Sequence, residues 1–323
     1  APYSYQEDGV QLKTLFKKIN QNTFGIKTED YDTSTILVID PQLNFSTFSG
    51  SLSDNWGFSA TYDDLGYAYA GGVAFGFGYP TTTGAFSSSM AGGNVDMTIS
   101  KFSPNGKNLV ASTYIGGNGT EAPHSMIVNS KRELIIYGAS GSTDYPTLSN
   151  SFDKTFNGGE YTPAGYLDFF NGSDIVLTKL NDNFSQLLGS TYFGGSKNDG
   201  INDGNQVLGL FRNYGDGNRG EVIVDGADNI IVSSVTHSSD LPTKLGFQNT
   251  YGGGIQDGCV MRFNSNLSEL QWGSYFGGSG DDGCYSIKEN SQGDLYISGG
   301  TTSSNLKKTS GSFGGSYKGS VDG

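Results

Sequence analysis

The chain has 323 residues, a formal net charge of −13, 50 glycines, 19 tyrosines and 20 phenylalanines, and only 16% of its residues are charged. Its basic residues gather no further than the pairs Lys17-Lys18, Lys131-Arg132 and Lys307-Lys308, which argues against a nucleic-acid partner, because phosphate binding needs a concentrated basic surface. No apolar stretch is long enough to cross a bilayer as a helix, and the glycines lack the three-residue period of collagen.

Ala1 to Tyr5 lacks the basic and apolar regions of a signal peptide, so we expect either a removed leader or a start inside something longer. Gln11 to Ile19 is the only run with a helix-like period. From there on the chain repeats itself. Ser46 to Gly50, Ser112-Thr113-Tyr114-Ile115-Gly116-Gly117, Ser190 to Gly195 and Gly273 to Gly278 are one motif, and the aromatics Phe48, Tyr114, Tyr192 and Tyr275 mark it. An Asp opens an alternating apolar run at Asp96, Asp174 and Asp257, and a turn closes on Tyr79-Pro80, Tyr145-Pro146 and Leu241-Pro242.

Between these markers the first unit offers strands near 56–62, 66–73, 95–102 and 109–115. The second strand recurs at Leu134 to Gly138, Ile230 to Ser234 and Leu295 to Gly299, after turns rich in Asp, Asn and Gly. Four short strands per unit with glycine and aromatic punctuation predict an all-β fold, a β-propeller of four-stranded blades with a short N-terminal β segment. A β-solenoid or a string of small sandwiches is the competing architecture. The expected blades are 42–115, 116–193, 194–276 and an incomplete 277–323, preceded by residues 1–41 as the tail of another β-rich domain. Val321-Asp322-Gly323 aligns with Gln256-Asp257-Gly258, the start of a third strand, so a finished blade would need more chain. Leu43 to Phe48 is the candidate strand for closing the ring. Cys259 and Cys284 fall on neighbouring repeats; one bridge or two buried thiols would both fit.

The order Ser-Thr-Tyr-x-Gly-Gly-Ser-x-x-Asp, an apolar run, then Thr-x-Ser-x-Asp-x-Pro resembles the SBBP β-propeller repeats of bacterial surface proteins. Ser190 to Asp199, Ser274 to Asp282, Ser142 to Pro146 and Ser238 to Pro242 carry it. Ala1 to Gln6 and Tyr31 to Pro41 resemble the end of the β-rich domain that often precedes such repeats. The resemblance spans nearly the whole chain. It implies an exported protein of the Bacteroidota cell surface, with secretion or outer-membrane machinery, commonly the type IX system, as a partner. Repeat one departs from the pattern at Ser49-Gly50-Ser51 and Gly78-Tyr79-Pro80, and repeat four at Asn305-Leu306-Lys307.

No catalytic residues are assigned. His124 and His237 are the only histidines, and His237 beside Ser238, Ser239 and Asp240 reads as a turn residue rather than part of a triad, since a triad is spatial. Glycoside hydrolysis is the enzyme alternative, needing two carboxylates at a set separation; Asp54, Asp199, Asp281 and Asp282 recur in loops. Recurrence weakens it, because catalysis needs unlike environments. Asp199, Asp203, Asp216, Asp281 and Asp282 are candidate calcium ligands in oxygen-rich, glycine-containing loops; equally, such side chains cap their own turns. Ligand contact is expected where inserts break the repeat: Tyr161, Tyr166, Phe169 and Phe170 in one, Phe211 and Tyr214 in another. The alternative for these aromatics is plugging gaps between blades. The functional expectation is a non-enzymatic recognition or adhesion module for a glycan or protein ligand, with a structural spacer as the other alternative.

Overall fold

The computed structural model describes residues 3–20, 23–40, 45–202, 209–211, 215–313 and 316–323. The chain divides into two compact units, 1–48 and 49–323. In the first, β1 (Tyr3–Gln6) pairs antiparallel with both β2 (Gln11–Leu12) and β5 (Leu37–Asp40), while β3 (Thr14–Asn20) and β4 (Thr23–Thr28) form a hairpin. The helix-like run Gln11 to Ile19 is therefore strand. Its apolar spacing fits either period, and cross-strand pairing of Leu15 with Lys27 and Phe16 with Ile26 decides it.

The second unit is a series of antiparallel sheets, each in simple sequence order. The first blade is β6 (Asn55–Tyr62), β7 (Ala68–Ala74), β8 (Asp96–Phe102) and β9 (Leu109–Ile115). The second is β10 (Glu121–Val128) and β11 (Leu134–Ser140), then, beyond a small hairpin of β12 (Thr162–Ala164) and β13 (Leu167–Phe169), β14 (Asp174–Leu180) and β15 (Leu187–Phe193). The third comprises β16 (Glu221–Val224), β17 (Ile230–Thr236), β18 (Asp257–Phe263) and β19 (Leu270–Phe276); β20 (Asp282–Glu289) and β21 (Leu295–Thr301) pair beside it. The first strand of each sheet touches the first strand of the next, β6 to β10 to β16 to β20. First strands thus lie nearest a common axis and the sheets fan outward, which is the β-propeller arrangement.

Repetition extends to the backbone. Strands β8, β14 and β18 each carry a register shift near their C-terminal end, at Lys101/Phe102, Lys179/Leu180 and Arg262/Phe263, supplying the extra twist a blade needs. The turns before the second strands each hold a left-handed residue: Gly66, Arg132, Asp228 and Gly293.

The core lies between blades. Every residue of β11 is buried, and its side chains feed opposite interfaces in alternation. Leu134 and Ile136 pack toward Met97, Ile99 and Tyr69 of the first blade, whereas Ile135 and Tyr137 pack toward Val232, Met261 and Phe263 of the third. A strand covered on both faces reads as a continuous apolar run, which is why this second strand is the clearest in each repeat. Cys259 and Cys284 are both buried and unbridged.

Candidate functional site

The repeat motif is consumed by holding the blades together. Each motif tyrosine uses its hydroxyl twice on the turn that ends in proline. Tyr192 Oη donates to Ser142 O at 2.7 Å and accepts from Tyr145 N at 2.9 Å. Tyr275 does the same with Ser238 O (2.9 Å) and Leu241 N (2.8 Å), and Tyr114 with Gly76 O (3.2 Å) and Tyr79 N (2.9 Å). The aspartate of that turn caps the preceding Gly-Gly turn: Asp144 Oδ1 accepts from Asn118 N at 2.8 Å and Asp240 Oδ1 from Ser196 N at 2.9 Å. Asn305 preserves this bond to Ser279 N at 2.8 Å, so the departure in repeat four keeps the cap.

The candidate calcium ligands serve similar ends. Asp199 is fully buried and accepts from Gly195 N (2.7 Å), Ser238 Oγ (2.9 Å) and Thr236 Oγ1. Asp282 Oδ2 accepts from Gly278 N and Ser303 Oγ, both at 2.7 Å, and Asp281 Oδ1 from Ile255 N at 2.7 Å. Asp216 pairs with Arg219 at 2.5 Å. Asp203 lies outside the described residues. Among the described residues, no group of three or more His, Cys, Asp or Glu side chains is arranged to hold a metal ion. His237 sits beside its turn as expected, its backbone N donating to Asn198 O at 2.9 Å.

The departures from the repeat build something different. The second-blade insert folds back as the β12–β13 hairpin, in register from Thr162↔Phe169 to Ala164↔Leu167. Strand alternation then sorts its aromatics. Phe169 is fully buried with Ala164 and Leu167 in a cluster that includes Val73 and Ile201; it fills a gap between blades and does not face a ligand. Tyr161 and Phe170 are exposed and lie against each other, ring centroids 5.8 Å apart, with Tyr161 Oη donating to Asp168 Oδ1 at 2.7 Å. Phe211 is half-buried, and Tyr214 lies outside the described residues.

Tyr166, at the tip of the hairpin, is 73% exposed and meets Trp56 of β6 edge to face, ring centroids 5.4 Å apart. Trp56, 42% exposed, is braced from the other side by Phe75 at 5.0 Å. The two rings form a wall of a cavity of about 730 Å³, where inner strands β6 and β10 meet the hairpin and the short 3-10 turn Asp216–Asn218.

Phe58, His124, Asn55 and Asn218 line the rest of it. His124 stands perpendicular to Tyr137 with centroids 5.1 Å apart. Its ring nitrogens and Asn218 Oδ1 are shielded from solvent, and Asn218 is the polar side chain beside the imidazole. Burial pushes the imidazole pKa down to about 3, outweighing the neighbouring Asn218 amide, which pulls the other way. The ring is neutral at physiological pH and offers one donor and one acceptor. No Lys, Arg, Asp or Glu is among the described residues lining this cavity.

Trp56, Phe58, His124 and Asn218 were not legible as a site in the sequence. Trp56 belongs to none of the repeat markers, and His124 sits within a mostly apolar strand. The signal available was the rarity of tryptophan, with two in the chain, and its place on a first strand.

A second cavity, of about 650 Å³, is polar and loop-built, with Glu160, Lys197, Asn198, His237 and Tyr251 on its walls. It presents no comparable aromatic face.

No family model matches the chain, and no curated protein does. Among solved structures it is similar to a quinohemoprotein alcohol dehydrogenase from Pseudomonas putida HK5, at 9% identity and a TM-score of 0.29, over 80% of this chain and 42% of that one. The chain therefore spans about two fifths of that enzyme's length. It is also similar to an exo-1,5-alpha-L-arabinanase from a bovine ruminal metagenomic library, at 11% identity and a TM-score of 0.27, over 92% of this chain and 95% of that one. Likenesses this distant carry no argument about activity, and the fold rests on the chain's own sheets.

Proposed function

We propose that this propeller is a non-enzymatic recognition module that seats a neutral glycan against Trp56 and Tyr166. The observation that carries the reading is the partly exposed Trp56–Tyr166 wall on a cavity whose described lining is uncharged, with Asn55 and Asn218 among its polar side chains. Sugars present apolar C–H faces with hydroxyls at their rims. An aromatic wall takes the face, while the side-chain amides of Asn55 and Asn218 beside it take the hydroxyls. Groups built to hydrogen-bond a hydroxyl also discriminate against ligands without one.

The non-enzymatic part of the reading is supported by the chemistry of the lining. His124 and Tyr166 are its only titratable described residues, and a neutral imidazole with a strongly lowered pKa has no carboxylate beside it to split an acid from a base. Export to a bacterial surface belongs to the same proposal and is supported by the resemblance of the repeats.

The test is a screen of immobilised neutral and acidic glycans with the whole chain, repeated with Trp56→Ala and Tyr166→Ala. A neutral glycan should be retained, and each substitution should weaken it by roughly tenfold or more, as for a central aromatic contact. Retention only of acidic glycans, or of any glycan equally by both variants, would overturn the assignment.

A further inference from the structure

Each interface between successive blades holds two buried carboxylates, one opening a third strand and one opening the next first strand or the turn before it. They are Asp96 with Glu121, Asp174 with Asp199, and Asp257 with Asp282, all 2% exposed or less. The third-strand aspartates are equivalent in detail. One oxygen accepts a backbone N–H, from Ala91 (2.7 Å), Asn157 (2.7 Å) or Gly252 (2.6 Å), and the other, Oδ1 in all three, has no partner.

That orphan oxygen points at the first glycine of the Gly-Gly turn, where the second carboxylate also arrives. The point a Cβ on Gly116 would occupy lies 2.5 Å from Asp96 Oδ1 and 2.8 Å from Glu121 Oε2; at Gly194 the distances are 2.5 Å to Asp174 Oδ1 and 2.9 Å to Asp199 Oδ2. A Cβ on Gly277 would meet the Asp257 carboxylate. The second carboxylates accept more donors, although Asp282 Oδ1 also has no partner. Glu121 accepts from Gly117 N (3.1 Å), Ser140 Oγ (2.6 Å) and Ser142 Oγ (2.5 Å), and Asp199 from the three groups named above.

Among the described residues, no lysine or arginine forms an ion pair with any of these six carboxylates. Facing the first pair are Asp144, Tyr114, Tyr145 and Tyr192; the second, Asp153, Asp240, Tyr192, Cys259 and Tyr275; the third, Asp281, Tyr251, Cys259 and Cys284. The nearby histidines are placed elsewhere in the packing: His124 meets Tyr137 edge to face, and His237 Nε2 lies 3.2 Å from Ile201 O. Two adjacent carboxylates in a low dielectric cannot both ionise without a large cost.

We propose that the Asp96–Glu121 and Asp174–Asp199 pairs each share one proton, carried by the third-strand aspartate on its orphan Oδ1 and donated toward the partner carboxylate, so that these blade interfaces form a proton-operated latch. One proton per pair leaves one negative charge, and that charge rests on the member with more donors. Burial is the first cause that raises these groups, Asp96 to about 6, Glu121, Asp199 and Asp257 to about 7, and Asp174 to about 8. A nearby carboxylate adds to it: the pair partner for Glu121, Asp174 and Asp257, but Asp144 for Asp96 and Asp240 for Asp199.

The sign follows from linkage. Groups whose folded pKa lies above the unfolded carboxyl value of about 4 contribute stability that is complete below about pH 4 and lost as pH rises through about 6 to 8. Asp225 and Asp240, lowered in the folded state, act oppositely and lose their contribution in acid. Stability from these groups is therefore greatest in mild acid.

The experiment is the melting temperature of the whole chain from about pH 5 to about pH 8.5, in chelator and again in excess Ca²⁺, for the native protein and Asp174→Asn. The asparagine amide replaces the shared proton with a permanent donor. The native Tm should fall by at least about 5 °C across that range, alike in both buffers, and Asp174→Asn should fall by less. A flat native profile, an equal fall in the variant, or a fall abolished by Ca²⁺ would overturn the proposal, the last by showing a cation where the proton is placed. Should the variant not fold, infrared difference spectra of the native protein between the same pH limits read the buried carboxylic acids directly; no loss of a protonated-carboxyl band would overturn it equally.

Discussion

Gly72 passes so close to the neighbouring strand that a Cβ would meet the Trp56 backbone, its carbonyl carbon at 3.0 Å and Gly57 Cα at 3.2 Å. Gly72→Ala should therefore destabilise the second unit by roughly 2–4 kcal/mol and displace Trp56, measured as a fall in Tm together with a shift in tryptophan emission. The motif hydroxyls make a second single-residue prediction. Tyr192→Phe removes a bond to Ser142 O and another from Tyr145 N in a fully buried setting, and denaturant unfolding should show a loss of about 1–3 kcal/mol. Little of this scale was legible beforehand. The tyrosines could be marked as core from their recurrence, but not that their hydroxyls are structural. His124 gave no sign that its ring would be buried beside Tyr137 and Asn218, because that depends on what other segments bring to it. Phe169 and Phe170 are adjacent and chemically alike, and only the pairing register of the hairpin sends one into the core and the other into solvent.

Strands were far more readable. The expected segments near 56–62, 66–73, 95–102 and 109–115 are the observed 55–62, 68–74, 96–102 and 109–115, because each alternates or runs apolar between turn residues with their own conformational demands. Gln11 to Ile19 went the other way: a local period was overruled by a pairing partner a few residues on. Residues 45–48 are in no strand, and Leu43 and Asn44, the start of the ring-closing candidate, lie outside the described residues. The β12–β13 hairpin was legible as an insertion but not as a packing element. Since Ala164, Leu167 and Phe169 share a buried cluster with Val73 and Ile201, replacing 160–171 with a short glycine linker should cost several kcal/mol, on the scale of losing large core side chains, and should abolish glycan retention by removing Tyr166. Calorimetry of the deletion variant checks the first effect and the glycan screen the second. Full stability after deletion would mean the hairpin merely decorates the blade.

At the scale of the molecule, the repeat motif and the binding cavity have separate origins. Tyrosines, Gly-Gly turns and paired carboxylates recur because every blade interface poses the same packing problem. Trp56, Tyr166, His124 and Asn218 each occur once in their role, contributed by different segments of the second unit. A sequence reveals what it repeats, whereas a site assembled from single departures appears only when the blades are set beside one another. The net charge of −13 fits an uncharged ligand better than an anionic one, which long-range repulsion would slow. The most direct measurement is the emission of Trp56 alone, in a Trp272→Phe protein, during titration with a neutral glycan retained in the screen. The expected result is a saturable change in emission whose midpoint matches the affinity found by calorimetry. Calorimetric binding of that glycan with Trp56 emission unchanged would place the ligand elsewhere and contradict the assignment of the site.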